Sequence, residues 1–233
     1  YKLYEDIKEI PFKKIDQIAL KSDYSVDDER RLKAAIIYVI DEVCNTYGHS
    51  YLHIDEIYGY VNRCLMTNIS KESYINSLNS LILDLRIIKD NEKYYLKEMY
   101  EDENLIVNRI KYLMKLEDDS YKKLDLIINE LEEYQDIKYN DEQLLAIKNA
   151  LIKNFLVITG GPGTGKTTIV KAIVDLYKEV MDIGYDKLNE KIALLAPTGR
   201  ASKRLSEATH LPAYTIHRFL KWNKEMDRFQ VNE

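Results

Sequence analysis

Residues 160–167, Gly160-Gly161-Pro162-Gly163-Thr164-Gly165-Lys166-Thr167, satisfy G-x-x-x-x-G-K-[ST] at every fixed position. An apolar run, Phe155-Leu156-Val157-Ile158-Thr159, precedes them and a helical pattern follows, which is the setting this motif requires. The residue types follow from the chemistry of a phosphate cradle. Glycines let consecutive backbone N–H groups converge on phosphate oxygens where a Cβ would obstruct loop or ligand. A helix beginning near Gly165 adds the positive end of its dipole. Lys166 reaches the β- and γ-phosphates, and the Thr167 hydroxyl is placed to ligate Mg²⁺. Half of the chain's 8 glycines fall in this loop. The segment Gly161–Thr168 is therefore expected to hold a nucleoside triphosphate with its Mg²⁺, with Lys166 and Thr167 acting on the phosphates.

Charge is distributed unevenly around this loop. Residues 1–139 carry a net charge of -8 and residues 140–233 one of +3. Between 196 and 228 the cations are Arg200, Lys203, Arg204, Arg218, Lys221, Lys224 and Arg228, against Glu207, Glu225 and Asp227. That stretch is a candidate polyanion surface in an acidic chain, the alternative being a merely solvated face. With 45% hydrophobic and 31% charged residues over 233 positions, the composition is that of a globular protein of one or two domains. No run of ~18 apolar residues occurs, so no membrane span is expected. The opening Tyr1-Lys2-Leu3-Tyr4-Glu5-Asp6 lacks the apolar core of a signal peptide. Cys44 and Cys64 stand far apart with no metal-ligand spacing. A disulfide or zinc framework is not expected, and a cytoplasmic location is.

The elements that must position the loop read as helix first and α/β later. Residues 1–23 suggest short helices, with Ile15, Ile18, Ala19 and Leu20 at helical spacing after Pro11. Asp27-Asp28-Glu29 opens a long helix with Leu32, Ala35, Ile36, Val39, Ile40 and Val43 on one face, ending near Gly48. A short extended tract at 50–54 leads to a helix through Ile57, Tyr60, Val61, Cys64 and Leu65. Ser70 can cap a third helix. Residues 85–89 and 93–96 then form a β-hairpin around Asp90-Asn91-Glu92. Three helices followed by a hairpin is the order of a winged helix-turn-helix, although its acidity argues against reading a DNA groove. Two amphipathic helices occupy 100–134 and are expected to connect domains. From 140 the pattern becomes helix (141–153), buried strand (155–159), glycine loop, helix to Val180, buried strand (191–196), and helices near 200–208 and 215–221.

Four segments occur in one order: DEQLLAIKNALIK (141–153), GGPGTGKTT (160–168), LLAPTGRASKRLSEAT (194–209) and TIHRFL (215–220). Together they resemble superfamily 1 DNA helicases of the RecD/TraA type, the group that translocates 5′→3′. More loosely, IPFKKIDQIALK (10–21) resembles the end of that family's helix-hairpin-helix region. GHSYLHIDEI (48–57) and the hairpin before KYYLKEMYEDE (93–103) resemble its winged-helix part. The resemblance implies an α/β fold with a mainly helical N-terminal half. Its parts would be the end of a helix-hairpin-helix region (1–26), a winged-helix-like domain (27–99), a helical connector (100–139) and a partial RecA-like ATPase domain (140–233).

The resemblance also implies roles. Gln143 matches the glutamine that reads the adenine edge and so selects ATP. Gly160–Thr168 match the phosphate-binding motif. Pro197, Thr198, Gly199 and Arg200 match a motif that holds the backbone of the translocated single strand, with Lys203 and Arg204 adding charge. Thr215, Ile216, His217 and Arg218 match the next motif on the strand path. The implied cofactors are ATP and Mg²⁺, and the implied partner is single-stranded DNA, with no membrane. The family's acidic Asp-Glu strand, its glutamine motif and its second-domain arginines cannot be placed. Glu225, Asp227 and Glu233 lie in a polar tail, so the chain resembles a fragment of a longer helicase, with the acidic strand expected past Glu233. Two other classes share the loop. A P-loop nucleotide kinase would leave APTGRA and TIHR unexplained, and an AAA+ type remodelling ATPase would place an acidic strand within about forty residues of the loop.

Overall fold

The computed structural model describes residues 10–22, 25, 28–223 and 228–230. The expectations for residues 1–9 and 23, for Asp27 as a helix opener, and for Lys224, Glu225, Asp227 and Glu233 lie outside the described residues. The chain divides into two units, Tyr1–Arg109 and Ile110–Glu233.

In the first unit, α1 (Phe12–Lys21) starts after Pro11, and α2 (Glu29–Tyr47) follows. Asp28 caps α2 by accepting from the Arg30 N–H at 2.9 Å. Gly48 ends it with φ 72°, donating its N–H to the Cys44 carbonyl at 2.8 Å. The stripe Leu32, Ala35, Ile36, Val39, Ile40 and Val43 is buried as its 3.6-residue spacing requires. It packs on Ile57, Val61 and Leu65 of α3 (Ile54–Leu65) and on Tyr74, Leu78 and Leu81 of α4 (Lys71–Leu83). Ser70 caps α4, accepting from the Ser73 N–H at 3.1 Å.

Strands β2 (Ile87–Asp90) and β3 (Lys93–Leu96) pair antiparallel from Ile87↔Leu96 to Asp90↔Lys93. Asn91 adopts the left-handed φ of 55° that this tight turn needs and that Asn tolerates. Strand β1 (Leu52–His53) joins the outer edge of β3, giving the order β1-β3-β2. Helix, strand, two helices and a hairpin complete a winged-helix topology. Arg31 and Asp16 form a buried two-pronged ion pair between α2 and α1, at 2.7 and 2.8 Å. Cys44 is buried, and burial pushes its thiol up to about 11. Helix α5 (Lys97–Leu113) buries none of its residues, leaving Leu105 and Ile106 exposed.

The second unit contains α6 (Leu124–Gln135), α7 (Asp141–Ile152) and α8 (Lys166–Met181), packed through Ile128, Ile147, Leu151, Ile169, Ala172 and Leu176. After α9 (Tyr185–Lys191) come β4 (Leu194–Ala196), α10 (Gly199–Thr209), β5 (Ala213–Thr215) and α11 (Ile216–Phe219). A second cluster of Val174, Leu188, Leu194 and Leu211 sits beneath them. Strands β4 and β5 pair in parallel, with Leu194↔Ala213 and Ala196↔Thr215. Strands β6 (Trp222–Asn223) and β7 (Arg228–Phe229) form a small antiparallel pair.

Three sequence expectations need correction. Residues 155–159 form no strand: no ladder partner exists among the described residues, and Val157 is 66% exposed. Composition alone does not make a strand without a neighbouring backbone to bond. The strand expected at 191–196 begins only at Leu194, because α9 runs through Lys191. The segment after Trp222, expected to be a polar tail, carries the β6–β7 pair. No helix among the described residues is long and apolar enough to cross a membrane.

Candidate functional site

The glycine loop bridges residues 155–159 and α8. Gly163 and Gly165 hold φ of 77° and 80°, a region costly for residues with a Cβ. A Cβ on Gly160 would come within 2.7 Å of Thr164 Oγ1, and one on Gly165 within 2.9 Å of Gln143 Nε2. The Lys166 ammonium folds over the loop and donates to the Gly160 and Gly161 carbonyls at 2.7 and 2.6 Å. Thr164 Oγ1 donates to the Gly161 carbonyl at 3.0 Å. Gly161–Thr164 and Lys166–Thr168 are all exposed at the head of α8. Exposed loop, positive-φ glycines, cation and helix start together form a donor set suited to phosphate.

Gln143 lies against this loop. Its Nε2 donates to the Thr164 carbonyl at 3.5 Å, while its Oε1 accepts from the Asn140 N–H at 3.1 Å. Asn140 Oδ1 in return accepts from the Gln143 N–H at 2.9 Å, which closes a capping box on α7. Sequence reasoning missed Asn140, although the Asn140-x-x-Gln143 spacing carries that signal. The side chain expected at the adenine edge therefore also ties α7 to the phosphate loop.

The second cluster of sequence-derived residues stands at the C-terminal ends of the parallel pair, where open α/β sheets bind ligands. Thr198 caps α10 by accepting from the Ala201 N–H at 3.2 Å, and Thr215 caps α11 by accepting from the Arg218 N–H at 3.2 Å. Pro197, Thr198, Gly199, Arg200, Lys203 and Arg204 are all exposed. Arg218 lies over the Tyr214 ring at 5.5 Å. His217 packs between Trp222 and Phe229, at ring separations of 6.1 and 5.9 Å. Of these two aromatic neighbours, Phe229 was hidden in what read as a polar tail.

A cleft of about 370 Å³ joins the two clusters. Thr167 lines it together with Thr198, Arg200 and Arg204. No sequence argument linked these residues, since 31 or more positions separate Thr167 from the others. In the first unit the hairpin cations lie over rings: Lys89 over Tyr94 at 5.6 Å and Lys93 over Tyr51 at 4.4 Å. Among the described residues no group of three or more His, Cys, Asp or Glu could hold a metal ion. The loop fits a metal brought in by the nucleotide, with the Thr167 hydroxyl as the protein's contact and the phosphates as the main ligands.

Comparison with known proteins agrees with this geometry. Residues 1–51 match a family model described as the ATP-dependent RecD2 DNA helicase HHH domain. Residues 143–233 match one described as an AAA domain. The chain is 25% identical over 232 residues to the ATP-dependent RecD2 DNA helicase of Deinococcus radiodurans, covering 94% of this chain and 31% of that protein. It is 28% identical over 230 residues to the RecBCD enzyme subunit RecD of Buchnera aphidicola, covering 80% and 35%. An uncharacterized protein of Methanocaldococcus jannaschii is 32% identical over 169 residues, covering 65% and 13%. The chain thus spans 35% or less of the length of each of these three relatives. Two domain models, one of them a RecD2 helicase domain, and RecD-type relatives along most of its length make this chain similar to RecD-type helicases.

Proposed function

We propose that this chain is the ATP-binding portion of a 5′→3′ DNA helicase that couples ATP hydrolysis to movement along single-stranded DNA, in repair or recombination in the cytoplasm. The observation that carries the reading is the cleft shared by Thr167 of the phosphate loop and by Thr198 at the head of α10. Nucleotide and strand would bind around one shared cleft, so a change at one reaches the other through a few side chains. The loop N–H groups and Lys166 bind the phosphates, Thr167 holds the Mg²⁺ that arrives with them, and Gln143 reads adenine. Bound Mg²⁺ supplies charge neutralisation at the transferring phosphoryl group. The strand's phosphates lie on Pro197, Thr198, Gly199, Lys203, Thr215, His217 and Arg218, whose hydroxyls, helix-start amides and cations suit a backbone contact. Names of relatives that include DNA helicase and RecBCD subunit favour this reading over a nucleotide kinase or a protein-remodelling ATPase.

Titrating labelled oligodeoxythymidylate into the chain tests the strand path. Binding should weaken as salt rises, because phosphate contacts release counterions. Lys203→Glu with Arg218→Glu should weaken it for every base sequence alike. Stronger losses from Lys89→Glu with Lys93→Glu would move the path to the first unit's hairpin.

A further inference from the structure

The basic side chains of α10 do not share one task. Arg200 and Arg204 are four residues apart, on one helix face. Both line the cleft that Thr167 also lines. Lys203 is outside that lining, 80% exposed and 3.9 Å from Glu207. Neither Arg200 nor Arg204 has a carboxylate partner among the described residues. The remaining lining, Ala196, Ala201 and Leu205, brings no negative charge. Two guanidinium groups thus face a cleft without an anion of its own.

The position of Thr167 says which anion fits. Thr167 follows Lys166, whose ammonium covers the loop, and it opens α8. In a phosphate loop the Lys reaches the β- and γ-phosphates and the following hydroxyl sits at the Mg²⁺ that bridges them. A terminal phosphate seated in this loop would come next to Thr167 and so to the cleft that Thr167 lines. A guanidinium offers a planar fork of donors that matches two phosphate oxygens at once. We propose that Arg200 and Arg204 hold the terminal phosphate of the triphosphate seated in the loop, so that this chain distinguishes ATP from ADP by itself. The proposal rests on the reading of the loop as a nucleotide site. ADP ends one phosphate short of the cleft and leaves both arginines without a partner.

The test is nucleotide titration of the chain with Mg²⁺ and without DNA, using a non-hydrolysable ATP analogue and ADP in parallel. The double variant Arg200→Ala/Arg204→Ala should bind the triphosphate analogue roughly tenfold or more weakly, the effect of losing a charge-assisted contact. Its ADP affinity should match the parent, which also shows that the fold is intact. Lys187→Ala removes one exposed cation from α9 and should change neither affinity. Arg200→Lys/Arg204→Lys should recover part of the loss, since an ammonium keeps the charge but not the fork. Unchanged triphosphate affinity in the double variant, or equal losses for ATP analogue and ADP, would overturn the proposal. So would a double variant that loses only oligodeoxythymidylate binding, because the arginines would then serve the strand. Lys166→Ala is the separate control: if it binds the triphosphate as tightly as the parent, the reading of the loop has failed instead.

Discussion

Lys166→Ala should lower the affinity of this chain for ATP by roughly tenfold or more, since a charge-assisted contact contributes about 1.5–3 kcal/mol. Two effects oppose each other. In the free loop the ammonium donates to the Gly160 and Gly161 carbonyls at 2.7 and 2.6 Å, and those bonds must yield when phosphate enters. The carbonyls are neutral acceptors, whereas phosphate adds a full opposite charge to the attraction, so the exchange favours phosphate. Calorimetric titration of parent and variant measures the difference, and equal affinities would contradict the phosphate-cradle reading. The same titration with GTP tests Gln143. Its amide can donate to N7 and accept from the N6 amino group of adenine, but meets O6 on guanine. Parent chain should prefer ATP, and Gln143→Ala should lose that preference along with part of the α7 cap.

Arg31→Ala should destabilise the first unit by about 3–5 kcal/mol, the range for breaking one partner out of a buried pair. The Arg31 side chain is 3% exposed and that of Asp16 is 12%, so water cannot replace the lost partner fully. The stranded carboxylate would then shift toward its protonated form instead of staying charged. Replacing both residues by apolar ones of similar volume should recover much of the loss, because the desolvation penalty of both charges disappears with them. Urea unfolding followed through the tyrosines measures both variants. An Arg31→Ala midpoint equal to the parent's would show that the pair is not what fastens α1 to α2.

What was legible in the sequence was local. The buried stripe from Leu32 to Val43, the Ser70 cap and the turn at Asn91 each depend on residues a few positions apart, and each stands as read. Beyond the 87–96 hairpin, sheet formation was not legible, because a ladder between distant segments is a property of both. Phe155–Thr159 has the composition of a buried strand yet finds no neighbour among the described residues. Ala213–Thr215 lacks a strong strand pattern yet pairs in parallel with β4. The site followed the same division. Lys166 and Thr167 were expected from motif chemistry and Gln143 from the family resemblance, each one by one. That Gln143 braces the Thr164 carbonyl, that His217 packs on Trp222 and Phe229, and that Arg200 and Arg204 line one cleft with Thr167 all arise from chain segments brought together by folding.

ATP turnover by the protein to which these residues belong, with and without a single-stranded oligonucleotide, tests the central claim most directly. Phosphoryl transfer to water needs Mg²⁺, an oriented nucleophile and cations on the developing charge, and a helicase completes that set when the strand is bound. The expected result is turnover that rises strongly with single-stranded DNA and is abolished by Lys166→Ala at every DNA concentration. Turnover indifferent to DNA, or phosphate appearing on a small-molecule acceptor instead of in water, would contradict a DNA-translocating ATPase.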